Sequence, residues 1–138
     1  MKRRFNYPKH FEKEKKLPRL TKKRIKIAEV SLGDFTGRLR NDLLNWFSTT
    51  PQHWIMLHVV MLAYFKNQSI TKNQLLKVIE KSYLTSNVYI DTAIKKGYFR
   101  IIRNNKDKRS IFILPSVITI KTFEEFIDRR DILYKGIK

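Results

Sequence analysis

The chain has no cysteine, four glycines, four prolines and 12 acidic residues among its 138. Without cysteine there are no disulfides, no thiolate metal sites and no cysteine nucleophile. The scattered glycines form no Gly-rich phosphate loop, and no serine, histidine and acid combination falls into a recognisable motif. The longest apolar run, WIMLHVVMLAYF from Trp54 to Phe65, is 12 residues and includes His58. A membrane span needs about 20 residues, so this run reads as a buried helix. The basic N-terminus has no apolar signal-peptide core behind it. A soluble, cytoplasmic protein without catalytic residues, metal or cofactor is expected.

What is abundant is positive charge. Thirty Lys/Arg give a formal net charge of +18, a field that favours polyanionic partners. The charge is uneven. Residues 1–26 carry 12 Lys/Arg against Glu12 and Glu14, and residues 27–138 carry 18 against ten acids, so the body is cationic without its head. An AT-rich coding bias would also raise lysine, isoleucine and asparagine. Hydrophobic residues make up 42% and aromatics 12%, enough for a core within a single domain.

Residues 1–26 contain Pro8, Pro18 and dense like charge with no sustained helical stripe. They read as a basic, extended and flexible arm ahead of a domain at 27–138. From Asp34, Leu39, Leu43, Leu44 and Phe47 fall at helical spacing. Thr50 and Pro51 are an N-cap and a first helical residue, opening a helix through Lys66 that is apolar almost all round. His53 and His58 lie five apart on it, not at the i, i+4 spacing of a two-histidine metal site, and read as structural. Thr71 and Gln74 have capping-box form ahead of Leu75, Leu76, Val78 and Ile79. Thr85 or Ser86 is then a candidate cap for a second helix with Ile90, Ala93 and Ile94 inward, stopped by Gly97 in a left-handed turn. YFRIIR and SIFILP, rich in β-branched and aromatic residues around a polar tip, form a hairpin. Pro115 ends it, and Ser116 begins a last helix with Phe123, Phe126, Ile127, Ile132 and Leu133 inward; the β-branched VITI obscures where that helix starts.

The expected fold is α+β, mainly helical: a winged helix-turn-helix with a two-stranded β wing and a basic N-terminal arm. The helix-turn-helix falls at about 71–97, the wing at about 98–114 and the C-terminal helix at about 116–134. TSNVYIDTAIKKGYFRIIRNNKDKRSIFILPS resembles the recognition helix and wing of the MarR family of regulators. Ile94-Lys95-Lys96-Gly97 stands at the helix stop, Asp107-Lys108-Arg109 at the Asp-x-Arg wing signature, and Leu114-Pro115-Ser116 at the exit. The match runs from about Thr50 to Ser116. It implies a double-stranded DNA-binding transcriptional regulator associated with the nucleoid. It also implies that Asp107 pairs with Arg109 and orients it.

A helix fits the major groove, where each base pair presents its own donor and acceptor pattern. Thr85, Ser86, Asn87, Tyr89 and Thr92 lie near the start of the second helix, where base edges and phosphates are met; helix capping and a solvated face would also account for them. Asn87 suits adenine, and Tyr89 a phosphate or a thymine methyl. In the wing, Arg103, Lys106, Lys108 and Arg109 suit backbone phosphates or a narrow minor groove; a merely soluble hairpin tip would have a similar composition. Arg3, Arg4, Lys13, Lys15, Lys16, Lys22, Lys23 and Arg24 of the arm suit phosphates or a minor groove, or else a solubilising or RNA-binding tail. A winged helix also hosts RNA, ribosome or protein-complex binding, and phage or plasmid origin binding shares the same interface. Homodimerisation and a small-molecule effector stay open at this level, although palindromic sites would require a dimer.

Overall fold

The computed structural model describes residues 18–103, 105, 106 and 109–137. Among them are six helices: α1 Arg19–Leu39, α2 Asp42–Phe47, α3 Pro51–Phe65, α4 Lys72–Ile79, α5 Tyr83–Lys95 and α6 Val117–Lys135. The strands are β1 Ile70–Thr71, β2 Phe99–Arg103 and β3 Ile111–Pro115. They form one antiparallel sheet in the order β1-β3-β2. The wing is the expected two-stranded hairpin of β2 and β3, and β1 adds a third strand to its sheet that the sequence did not announce. Ile70 lies opposite Ile113 and Thr71 opposite Phe112. A strand of two residues offers no alternation to read, and Thr71 already carries the capping signal.

α1 corrects the expectation of an extended segment up to residue 26. Pro18, at φ −53° and ψ 146°, is the N-cap residue, and its fixed φ suits the entry to a helix. No proline follows before Pro51, so nothing breaks the first turns. α1 buries Asp34 rather than an apolar stripe, which is why hydrophobic periodicity does not reveal it. Contacts with α6 hold it instead. Arg130 Nε lies 3.8 Å from Asp34 Oδ2, and the Ser31 and Tyr134 hydroxyls are 3.2 Å apart. Arg38 stacks on Phe35 at 4.8 Å and on Trp54 of α3 at 4.4 Å. The single helix expected from Asp34 is in fact divided at Arg40. Asn41 accepts from the Leu44 N–H at 3.0 Å and starts α2 afresh, as asparagine does at N-caps.

α3 is the central element. Thr50 caps it, Pro51 opens it, and Met56, Leu57, Val60 and Met61 are buried on it. Around it pack Leu44 and Phe47 of α2, Leu75 and Ile79 of α4, Ile90 and Ala93 of α5, Phe99, Ile113, and Phe123 and Phe126 of α6. Both halves of the capping box at Thr71 and Gln74 are made. α5 ends as expected: Gly97 sits at φ 79°. The Tyr98 N–H donates to the Ala93 carbonyl at 2.9 Å and the Gly97 N–H to Ile94 at 3.0 Å, a Schellman turn. Phe99 then enters β2 directly. The Tyr98 carbonyl accepts from the Ser116 hydroxyl at 3.0 Å and the Thr119 hydroxyl at 2.7 Å. Those two bonds fasten the wing's root to the start of α6, which takes the VITI stretch into its first turn.

Candidate nucleic-acid interface

The start of α5, the start of α4 and the tip-side end of β3 meet at one groove. It is lined by Lys72, Asn73, Tyr83, Arg109, Ser110 and Ile111. Residues 71–115 carry ten Lys/Arg against Glu80, Asp91 and Asp107, so the surface elements here are strongly cationic.

Neither Thr85 nor Ser86 caps α5. Ser82 does, accepting from the Thr85 N–H at 3.2 Å, and the helix begins three residues earlier than a Thr85 cap would place it. Of the polar candidates Ser86 is buried, while Thr85, Asn87, Tyr89 and Thr92 are half-buried. The Ser82 hydroxyl donates to Thr85 Oγ1 at 2.9 Å. Ser86 is completely buried, 0% exposed, on the same inward side as the buried Ile90, so it is not presented to solvent here. Asn87 Nδ2 donates to Asp91 Oδ2 at 3.3 Å. Asp91 Oδ1 in turn accepts from Lys72 Nζ at 3.0 Å, tying α5 to α4. Asn87 Oδ1 is buried without a hydrogen-bond partner, so the paired donor and acceptor that adenine needs are not both presented. The Tyr89 ring is half-buried against His53, ring centroids 4.1 Å apart. The Thr92 hydroxyl donates to the Val88 carbonyl at 2.7 Å.

The side chains that project from the start of α5 are Tyr83, Leu84 and Val88, at 66%, 77% and 59% exposure. None is among the expected contacts, because apolar residues are ordinarily assigned to the core. Their signal is present in the sequence nonetheless: Leu84 and Val88 are four apart, hence on one face, and out of phase with the buried Ser86, Ile90 and Ala93.

Arg103, Lys106 and Arg109 are exposed on the wing. Asp107 and Lys108 lie outside the described residues, as do Arg3, Arg4, Lys13, Lys15 and Lys16. Lys22, Lys23 and Arg24 are exposed on the opening turns of α1, helical rather than extended at these positions.

The two histidines of α3 serve packing. The His53 N–H donates to Thr50 Oγ1 at 3.2 Å, and Trp46 meets its ring edge-on at 4.7 Å. His58 Nδ1 is 2.8 Å from the Trp54 carbonyl. Burial lowers the pKa of both from the usual histidine value; for His58 the nearby Arg130 and Arg38 push the same way, against the Trp54 hydrogen bond. Among the described residues, no three His, Asp or Glu side chains gather as metal ligands. Nor is any described helix long and apolar enough to cross a membrane.

No protein-family model matches the sequence, and no curated protein matches it. Solved structures do. Staphylococcus aureus MepR bound to ethidium bromide superposes with a TM-score of 0.68 at 15% identity, over 87% of this chain and 80% of that one. The S. aureus MepR–DNA complex gives 0.55 at 16% identity, over 76% and 82%. The transcriptional regulator Tm0710 from Thermotoga maritima gives 0.57 at 18% identity, over 86% and 79%. The chain thus has the winged-helix fold of these regulators, the fold that its resemblance to the MarR family implied.

Proposed function

We propose that this protein is a sequence-specific double-stranded DNA-binding transcriptional regulator. α5 enters the major groove and the wing lies on the backbone or in the minor groove. The observation that carries this reading is the shared groove: the start of α5 stands beside Lys72 and the wing's Arg109, on a fold that in MepR has been solved as a DNA complex. Arg103, Lys106, Lys108 and Arg109 supply phosphate contacts. Lys22, Lys23 and Arg24 add charge from α1, together with Arg3 and Arg4 ahead of it. The protein acts at the nucleoid, in the cytoplasm, without catalytic chemistry.

A homodimer is part of the proposal. Leu20, Ile25 and Leu32 of α1 and Ile118 and Ile132 of α6 are exposed by 42–72%, and the two helices pack on each other. Paired copies would cover this apolar surface and present two α5 helices to a two-fold site.

Gel-shift titration against duplex DNA, with structured RNA as competitor, tests the reading. Duplex binding that weakens steeply with salt is expected. Preference for RNA, or no duplex binding by folded protein, would overturn it. Light scattering tests the dimer, which a monomer at working concentration would exclude.

A further inference from the structure

The polar groups at the start of α5 are committed to the protein's own structure. The Ser82 and Thr85 hydroxyls bond to each other, Ser86 is buried, the Asn87 amide is tied to Asp91, and the Thr92 hydroxyl bonds to the Val88 carbonyl. What α5 offers outward is hydrocarbon: Leu84 at 77% and Val88 at 59% exposure, with Tyr83 at 66% beside them. Neither Leu84 nor Val88 belongs to the core. Exposed leucine and valine four apart serve no packing purpose within this chain.

Their surroundings limit what can cover them. Tyr83 shares its groove with Lys72 and Arg109, and Lys81 stands just ahead of the helix. Although Asp91 pairs with Lys72, these cationic surroundings favour a partner that is anionic around its edge and apolar at its centre. A major groove meets both demands, with phosphates along its rims and thymine C5-methyl groups on its floor. Two residues four apart on a helix are separated by about 6 Å along its axis. A duplex rises roughly 3.4 Å per base pair, so that span matches about two steps.

The geometry points to thymine-methyl readout: Leu84 and Val88 read the C5-methyl groups of thymines about two steps apart in the major groove, and the protein prefers T·A pairs there. This rests on the DNA-binding reading above and specifies which base feature the recognition helix takes.

The test removes the methyl and nothing else. Duplexes are first selected from a randomised pool with the wild-type protein, and each thymine of the selected site is then replaced by deoxyuridine, which pairs identically. Binding by wild type is expected to weaken about fourfold for each contacted methyl, the effect of burying one such group. Leu84→Ala with Val88→Ala should bind thymine and deoxyuridine duplexes equally. Circular dichroism will show its fold unchanged, because both positions are exposed. Wild-type indifference to the methyl, with duplex binding intact, overturns the inference and spares the DNA-binding reading. So does a folded double variant that keeps the full thymine preference, because the effect then lies in DNA shape. Failure of folded wild type to bind any duplex overturns both.

Discussion

The imidazole of His53 lies 4.1 Å from the ring of Tyr89, centroid to centroid, and this contact couples the first turn of the central helix to the middle of α5. Trp46 closes on the same imidazole. His53 is therefore a packing residue, 5% exposed, whose protonation would put a charge among aromatic rings.

A pH dependence follows for stability. Burial lowers the pKa values of both His53 and His58 from 6.5. As pH falls through that value the unfolded chain takes up protons before the folded one does, so the equilibrium shifts toward unfolding. The two histidines cost nothing above about pH 7.5 and destabilise progressively as pH drops toward the folded-state values. Each contributes at most about 1.4 kcal/mol per pH unit in that window. Urea midpoints measured from neutral to mildly acidic pH should fall for wild type and fall less for His58→Gln. A flat wild-type profile contradicts the buried-neutral assignment.

Thr71 both caps α4 and pairs with β3. Thr71→Ala should lower stability by about 1 kcal/mol, as loss of an N-cap hydroxyl does, while Thr71→Ser should restore most of it. Chemical denaturation distinguishes the two. Equal losses for both variants would mean that the methyl, not the hydroxyl, matters.

The Arg130–Asp34 contact joins α6 to α1 at a carboxylate only 6% exposed. Asp34 Oδ1 has no hydrogen-bond partner, and the charges of Arg130 and Arg38 compensate the carboxylate. Arg130→Met should destabilise by about 1–3 kcal/mol, the cost of leaving a buried polar group unsatisfied. Combining it with Asp34→Leu should recover part of the loss, because the buried charge goes too. Purely additive losses in the double variant would argue that the two residues do not interact.

On the wing, Arg103→Ala and Arg109→Ala should weaken binding to every duplex alike. Each should reduce the slope of log affinity against log salt by about 1 for every phosphate that the side chain had neutralised. A change in sequence preference with an unchanged salt slope would instead place the side chain on a base.

Much of this architecture is legible in the sequence because its signals are local. Thr50-Pro51, Thr71 with Gln74, and Gly97 each encode a helix boundary in one or two residues, and each stands where those residues predict it. The departures share a different cause. α1 holds on through Asp34, Arg38 and α6 rather than through an apolar stripe, and contacts made about a hundred residues away leave no periodic trace. β1 is two residues long and owes its existence to pairing with β3. At the candidate interface, a cap at Thr85 or Ser86 would have set Ser86 and Asn87 on the exposed first turn of α5. With Ser82 as the cap, those two positions face inward or sideways, and the hydrocarbon at 84 and 88 takes the outward face.

The pairing of Ile70 with Ile113 and Thr71 with Phe112 has a mechanical result. The entrance of the helix pair is pinned to β3, and its exit runs through Gly97 straight into β2, so both ends of the helix-turn-helix are clamped to the same small sheet. Helix and wing are then joined through that sheet like the two jaws of a calliper. Bound to DNA in the proposed way, such a gauge does not open to suit its target. A duplex whose grooves are wrongly spaced must bend or widen instead, so flexible sequences would be favoured at base pairs the protein never touches.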